Sequence, residues 1–308
     1  MQRITNSIQV SDLIRSLNER MRTLNDLQNQ VASGKRVYYA SDDPAAAGLI
    51  LQLRNSLRQN EQFQENIDNA ISWLTATESS LQQLNELLIQ GREDAVEGSN
   101  EAISPADMAA LADEIDGYLE NIFSLANSDH SGKSLFGGTN TTEPAFTAVR
   151  DPVTGQITGV APNPNGTTGS MMRQVGTRAT IQINIPGSDL FQPGGPAGAE
   201  DIFQVLIDLR DALQSGDSEL VGEALPLIDQ AMENVSDFNA LVGSRVTRLT
   251  NLQDALLVDE TNLTSQLSEQ EDADLVEVMT QMTLEQNAYQ VALNVGAMII
   301  QPSLVNFF

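Results

Sequence analysis

The sequence predicts a mainly α protein: long coiled-coil-like helices, paired N- and C-termini, and a small inserted β-rich lobe. Three observations lead there. Apolar residues recur at steps of three and four over long stretches, the narrow stripe of a coiled-coil seam. Residues 49–90 and 244–295 contain neither Gly nor Pro, whereas 137–198 hold 11 of the 21 Gly and seven of the 11 Pro. Aromatic residues make up only 5% of the 308 residues, which suits a narrow seam better than a broad core.

The first helix is expected over 5–33. Its stripe runs through Val10, Leu13, Leu17, Met21, Leu24, Leu27 and Val31. Asp43-Pro44 then opens a helix over 44–98, with a capping carboxylate before a proline whose missing N–H costs nothing at the first helical position. Its stripe includes Ile67, Ala70, Leu74, Leu81, Leu84 and Leu88. Ser104-Pro105-Ala106-Asp107 repeats the device for a helix over 104–127, with an acid three residues after the cap. Further helices are expected over 200–215, 217–269 and 272–299. Their apolar positions include Leu249, Leu252, Leu256, Leu263 and Leu267, then Leu275, Val278 and Met282. The breaker-free stretches would form helices about 60 and about 80 Å long at 1.5 Å per residue. The competing reading is amphipathic helices on an ordinary core.

Between the helical arms, 137–198 reads as the β-rich lobe. Thr180 to Ile185 alternate polar and apolar and end in Pro186-Gly187, a half-buried strand followed by a turn. Asp151-Pro152-Val153-Thr154-Gly155 is a second turn, and Pro162–Gly169 reads equally as a loop. Both chain ends then lie together.

Composition excludes several functions. Sixteen Lys+Arg against 42 Asp+Glu give a net charge of −26, which repels a phosphate backbone, so no nucleic acid is expected. The absence of cysteine removes disulfides, thiolate nucleophiles and thiolate metal sites. His130, the single histidine, leaves little for imidazole catalysis or zinc. Asn127 to Ser134 ends in Gly-Lys-Ser but lacks the first glycine and preceding strand of a phosphate loop. Ser128-Asp129-His130 has triad residue types in a spacing that cannot form a relay, and reads as an exposed helix terminus. Glu269, Glu271, Asp272, Asp274 and Glu277 lack the glycine turn of a calcium loop and read as a solvated link capping the next helix. No catalytic residue, cofactor or metal is expected, and the chain does not read as an enzyme. The start lacks the apolar core of a cleaved signal peptide, and no segment offers about 18 consecutive apolar residues, so no membrane insertion is expected.

Charge is uneven: residues 1–60 carry net +3, 61–248 carry −20 and 249–308 carry −9. Residues 286–308 contain no charged side chain at all. A helix without a charged face requires neighbours on several sides, so this end is read as buried against other copies or partner chains. Arg15, Arg20 and Arg22 are candidates to pair with acids of the last helix.

Several motifs resemble the flagellin superfamily, in its hook–filament junction branch. They are Arg3-Ile4-Thr5, Gln30-Val31-Ala32-Ser33-Gly34-Lys35-Arg36 and Asp42-Asp43-Pro44-Ala45-Ala46 near the start. Leu135-Phe136-Gly137-Gly138-Thr139 and Pro144-Ala145-Phe146 lie where the helical part gives way to the lobe. Gln286 to Ala292, Ala297-Met298-Ile299-Ile300 and Ser303-Leu304 lie at the end, while the ending Asn306-Phe307-Phe308 departs from the pattern. The resemblance implies a structural part of the bacterial flagellum, joining hook to filament by helical-polymer assembly through its terminal helices. It implies as partners a hook-side junction protein, flagellin and copies of the chain itself. It also implies an export chaperone, the type III export apparatus and an extracellular location reached without signal cleavage. The expected organisation is an N-terminal assembly helix (1–40), two halves of a helical arm (41–136 and 199–264), the inserted lobe (137–198) and a C-terminal assembly helix (265–308). The candidate assembly interface is Val10, Leu17, Leu24, Val31, Leu275, Val278, Met282, Tyr289, Ala292 and Ile299. Two alternatives stand beside it: a filament flagellin, and a secreted coiled-coil adhesin or translocator.

Overall fold

In a computed structural model, residues 6–191 and 201–300 are described. The motif positions at 3–5 and 303–304, and the ending 306–308, lie outside the described residues. Helices dominate: α1 (Asn6–Ser33), α2 (Pro44–Gly98), α3 (Pro105–Ala126), α4 (Gly187–Leu190), α5 (Ile202–Ser215), α6 (Ser218–Glu271) and α7 (Leu275–Ile300). The six helices expected from periodicity and caps are all present. Asp43 Oδ1 accepts from the backbone N–H of Ala45 and Ala46 at 3.1 and 3.0 Å, opening α2. Ser104 Oγ accepts from Asp107 N at 3.2 Å and opens α3.

The chain forms two compact units, one from Met1–Asn60 with Val258–Phe308 and the other from Glu61–Leu257. Within the second, the seams have a seven-residue period. On α2, Ile67, Leu74, Leu81, Leu88 and Ala95 are each at most 1% exposed, and on α6 so are Val221, Ile228, Val235, Val242 and Leu249. A heptad keeps one face of a helix turned to its partner. The two helices run antiparallel here: Arg92 Nε donates to Asp229 Oδ1 at 2.5 Å, and Gln253 Nε2 to Asp68 Oδ1 at 2.6 Å. Pro226 lies inside α6.

α3 and α5 pack on each other and on the lobe. Arg210 of α5 is 3% exposed and donates to Asp116 Oδ1 of α3 at 2.9 Å and to Asp211 Oδ1 at 2.8 Å. It also reaches the backbone oxygen of Ile157 at 2.7 Å.

Among the described residues the lobe is three two-stranded antiparallel sheets: β1 (Asp129–His130) with β2 (Lys133–Ser134), β3 (Phe146–Arg150) with β4 (Ile157–Pro162), and β5 (Met172–Gln174) with β6 (Thr180–Gln182). Two local readings change. Ser128–His130 is not a helix terminus, because α3 ends at Ala126 and the chain enters a hairpin. Alternation along 180–185 breaks at Asn184, which is fully buried. Its Oδ1 accepts from Met171 N at 2.7 Å and its Nδ2 donates to Gly169 O at 3.0 Å, so it serves backbone that has no ladder partner. Pro186-Gly187 begins the single turn α4.

The lobe is fastened by phenylalanines. Phe136, Phe146, Phe191 and Phe203 are each 1% exposed. Their ring centroids lie 5.2 to 5.6 Å apart in edge, tilted and stacked pairs, the range in which aromatic pairs attract. Gly138, with φ +60°, sits so close to the Thr168 backbone that a Cβ there would overlap it. That is a physical reason for the Phe-Gly-Gly sequence at the helix-to-lobe junction.

Candidate assembly interface

The first unit is built on α1 and α7, which pack side by side. They run antiparallel. Near one end, a Cβ on Gly296 would lie 2.5 Å from Leu13 Cδ2, so the missing side chain makes room for that leucine. Further along, Arg20 NH1 donates to Glu285 Oε2 at 2.8 Å. At the other end, Ala273 N donates to Gly34 O at 2.9 Å, and Lys35 forms an antiparallel bridge with Asp272. Of the three candidate arginines, Arg20 therefore finds the C-terminal helix, while Arg15 pairs with Asp12 on its own helix at 3.5 Å.

An ionic knot closes this joint. Glu271 is 5% exposed at its side chain and accepts from Lys35 Nζ and, at 2.6 Å, from Arg54 NH2. Its backbone oxygen accepts from Arg36 N at 2.7 Å. Burial pushes the Glu271 carboxyl up, but the hydrogen bonds from Lys35 and Arg54 outweigh it and hold the pKa below the ordinary value. Beside the knot, Val37, Ala46 and Ile50 form a small core with Leu267 against it. The acidic link is thus only partly solvated. Asp274 does cap α7, accepting from Val276 N at 3.0 Å and Glu277 N at 3.2 Å, whereas Glu271 turns inward.

The expected interface residues divide by exposure. Leu24 and Val278 are buried. Val10, Leu17, Val31, Met282, Tyr289 and Ala292 are half-buried. Leu275, in the first turn of α7, is 46% exposed. Ile299 lies in α7, with its side chain outside the described residues. Much of the stripe is therefore consumed within the chain.

What faces outward is a second set. On α1 it includes Ile8, Ile14 and Met21; on α7 it includes Val276 (77% exposed), Met279 (53%), Leu284 (63%), Val291 (60%) and Met298 (70%). Met21 belongs to the expected stripe but turns away from it. The others were missed because a period picks one face, and here a second face is also apolar. For Val291 and Met298 the signal was the charge-free run beginning at 286, whose exposed polar residues are only Gln and Asn; for the rest no local pattern marks the second face. Among the described residues, no helix is long and apolar enough to cross a membrane, and no cluster of three or more His, Asp or Glu side chains could hold a metal.

Comparison with known proteins agrees with this architecture. Residues 4–141 match the bacterial flagellin N-terminal helical region, and 225–308 match the C-terminal helical region. The chain is 26% identical over 275 residues to flagellar hook-associated protein 3 of Escherichia coli K12, covering 85% of this chain and 86% of that protein. It is 24% identical over 293 residues to flagellin of Bacillus subtilis strain 168, covering 91% and 90%. The solved structure of a flagellar hook-associated protein from Vibrio parahaemolyticus shares the fold, with a TM-score of 0.65 and 22% identity over 75% of this chain and 100% of that one. With both terminal helical regions matched, and those regions carrying the paired α1 and α7, the chain belongs to the bacterial flagellin family.

Proposed function

We propose that this protein is a structural component of the bacterial flagellum, placed where hook meets filament and held there through its terminal helices. The observation that carries this is the α1–α7 pair, whose facing stripe is mostly half-buried and whose outer face remains apolar at Met279, Leu284, Val291 and Met298. Burying the remaining exposure of each such side chain is worth on the order of 1 kcal/mol, so neighbours with matching seams recover what a free chain leaves exposed. A contact of this kind that does not close on itself builds an open helical assembly. The occupants are a hook-side junction protein, copies of this chain and flagellin. Reaching that position places the protein outside the cell, by type III export with a chaperone and without signal cleavage. The half-buried set Val10, Leu17, Met282, Tyr289 and Ala292 orients the pair, and the outward set meets the neighbours.

The junction reading rests on the similarity to hook-associated protein 3. The similarity to Bacillus subtilis flagellin favours a second reading, a filament subunit. Electron microscopy of the purified chain with and without hook fragments separates them. Short caps on hooks that carry their own junction protein support the first, and long filaments without seeds support the second. Deleting 286–308 is expected to abolish assembly while leaving a soluble, folded remainder. A truncated chain that still caps hooks would sink the proposal.

A further inference from the structure

The chain has no cysteine and nine methionines, so thioethers are its only sulfur chemistry. Among the described residues, four methionines are largely exposed: Met21 (46%), Met172 (55%), Met279 (53%) and Met298 (70%). Met108 is buried, and Met171, Met232 and Met282 are half-buried. Three of the four exposed thioethers lie on the outward face of α1 and α7, and the fourth, Met172, lies on β5 in the other unit. Met298 stands about 160° around α7 from Val278 and from Gly296, at 3.6 residues per turn. Val278 is buried, and Gly296 leaves its side-chain space to Leu13, so the Met298 thioether faces away from α1.

Methionine suits a face that meets unlike neighbours, because its unbranched thioether repacks easily. It also has a reactivity that leucine lacks: oxidation turns the flexible apolar side chain into a polar sulfoxide. We propose that Met21, Met279 and Met298 are an oxidation-sensitive modification site, at which hydrogen peroxide switches off assembly of the free chain. The sulfur lone pair attacks one peroxide oxygen, so that an S–O bond forms and the O–O bond breaks. The sulfur gives up two electrons, and the departing oxygen takes the proton of the transferred one and leaves as water. On the free chain, solvent satisfies the new sulfoxide oxygen. In an apolar seam it finds no donor, and a polar group without a partner resists burial. The modified chain therefore keeps its fold and loses its neighbours. Once neighbours cover the face, the same thioethers are shielded from peroxide. This control operates through the outward face that docks neighbours in the assembly reading above, and it depends on that reading.

The full chain is treated with hydrogen peroxide, and peptide mass spectrometry follows oxygen addition at each methionine. Met21, Met172, Met279 and Met298 are expected to react at least about tenfold faster than Met108. Capping of hooks that carry their own junction protein, or filament growth, is then scored by electron microscopy. Treatment is expected to raise the chain concentration needed for assembly by at least about tenfold, with the helical circular dichroism unchanged. The triple variant Met21→Leu, Met279→Leu, Met298→Leu keeps size and apolarity and is expected to assemble both before and after treatment. Met172→Leu is expected to stay as sensitive as the parent. In finished assemblies Met279 and Met298 are expected to be protected while Met172 still reacts. A treated parent that assembles like the untreated one, a treated parent that loses its helices, or a triple variant that still loses assembly on treatment overturns the proposal. Should the triple variant fail to assemble untreated, Met279 and Met298 that react as fast in parent assemblies as in the free chain overturn it. An untreated parent that neither caps hooks nor grows filaments overturns the assembly reading itself, and this proposal with it.

Discussion

Removing the guanidinium of Arg210 leaves Asp116, Asp211 and the Ile157 carbonyl without the donor they share. Breaking a buried pair from one side costs more than the pair contributes, because the remaining groups stay poorly solvated. Arg210→Ala is therefore expected to lower stability by about 2–4 kcal/mol in urea titration, Asp211 being open enough to rehydrate. Glu271 makes a different prediction. Its pKa is held down in the folded chain, so its contribution is present above the unfolded value of about 4.3 and is lost as pH falls through the lower folded value. Glu271→Gln is expected to melt earlier than the parent at pH 7 and together with it at pH 2. A difference that persisted unchanged in acid would show that the charge is not what holds the joint.

At the scale of elements, α6 carries a proline within its helical span and still runs as a single helix from Ser218 to Glu271. Pro226 is exposed, so its ring contributes little packing while it removes one backbone donor and crowds the preceding turn. Pro226→Ala restores that donor. The stiffer unfolded chain of the parent offsets part of the gain, leaving an expected stabilisation of about 1–2 kcal/mol, read as a higher urea midpoint. The seams around it explain why the helix survives. Ala224, Ile228 and Ala231 are buried on either side of the proline, and tertiary packing overrides local propensity. α7 shows the opposite balance. It has good seam residues at Val278 and Met282 but exposed apolar ones at Leu284 and Val291, so packing within the chain satisfies only part of its surface.

For the whole molecule, the division into two units has a thermodynamic consequence. The main hydrophobic cluster draws all its buried residues from Glu61–Leu257, whereas the terminal unit has the small core of Val37, Ala46 and Ile50 and the ionic knot at Glu271. A fragment spanning 61–257 is expected to fold alone with one cooperative thermal transition, its helical signal lost over a narrow range. The full chain is expected to show an additional, earlier loss of helix from α1 and α7. A fragment that melts gradually from low temperature would mean that the ends are needed to complete the larger core.

Much of this was legible in the sequence because it is written at short range. Ile67, Leu74, Leu81 and Leu88 announce their seam by period alone. Asp43 and Ser104 announce helix starts by capping chemistry and a following proline. The charge-free end announces that one helix has no charged side to give to water. Only the tertiary structure decided which apolar residues α1 and α7 spend on each other and which they leave outward, because periodicity names a face and not its occupant. It also decided that Glu271, one of five acids in a link, is buried between Lys35 and Arg54, which lie more than 200 residues away in sequence. In the same way it brought Phe136, Phe146, Phe191 and Phe203 to one cluster. Such meetings depend on where long helices and hairpins return in space, and residues so far apart in sequence leave no local pattern by which they can be paired.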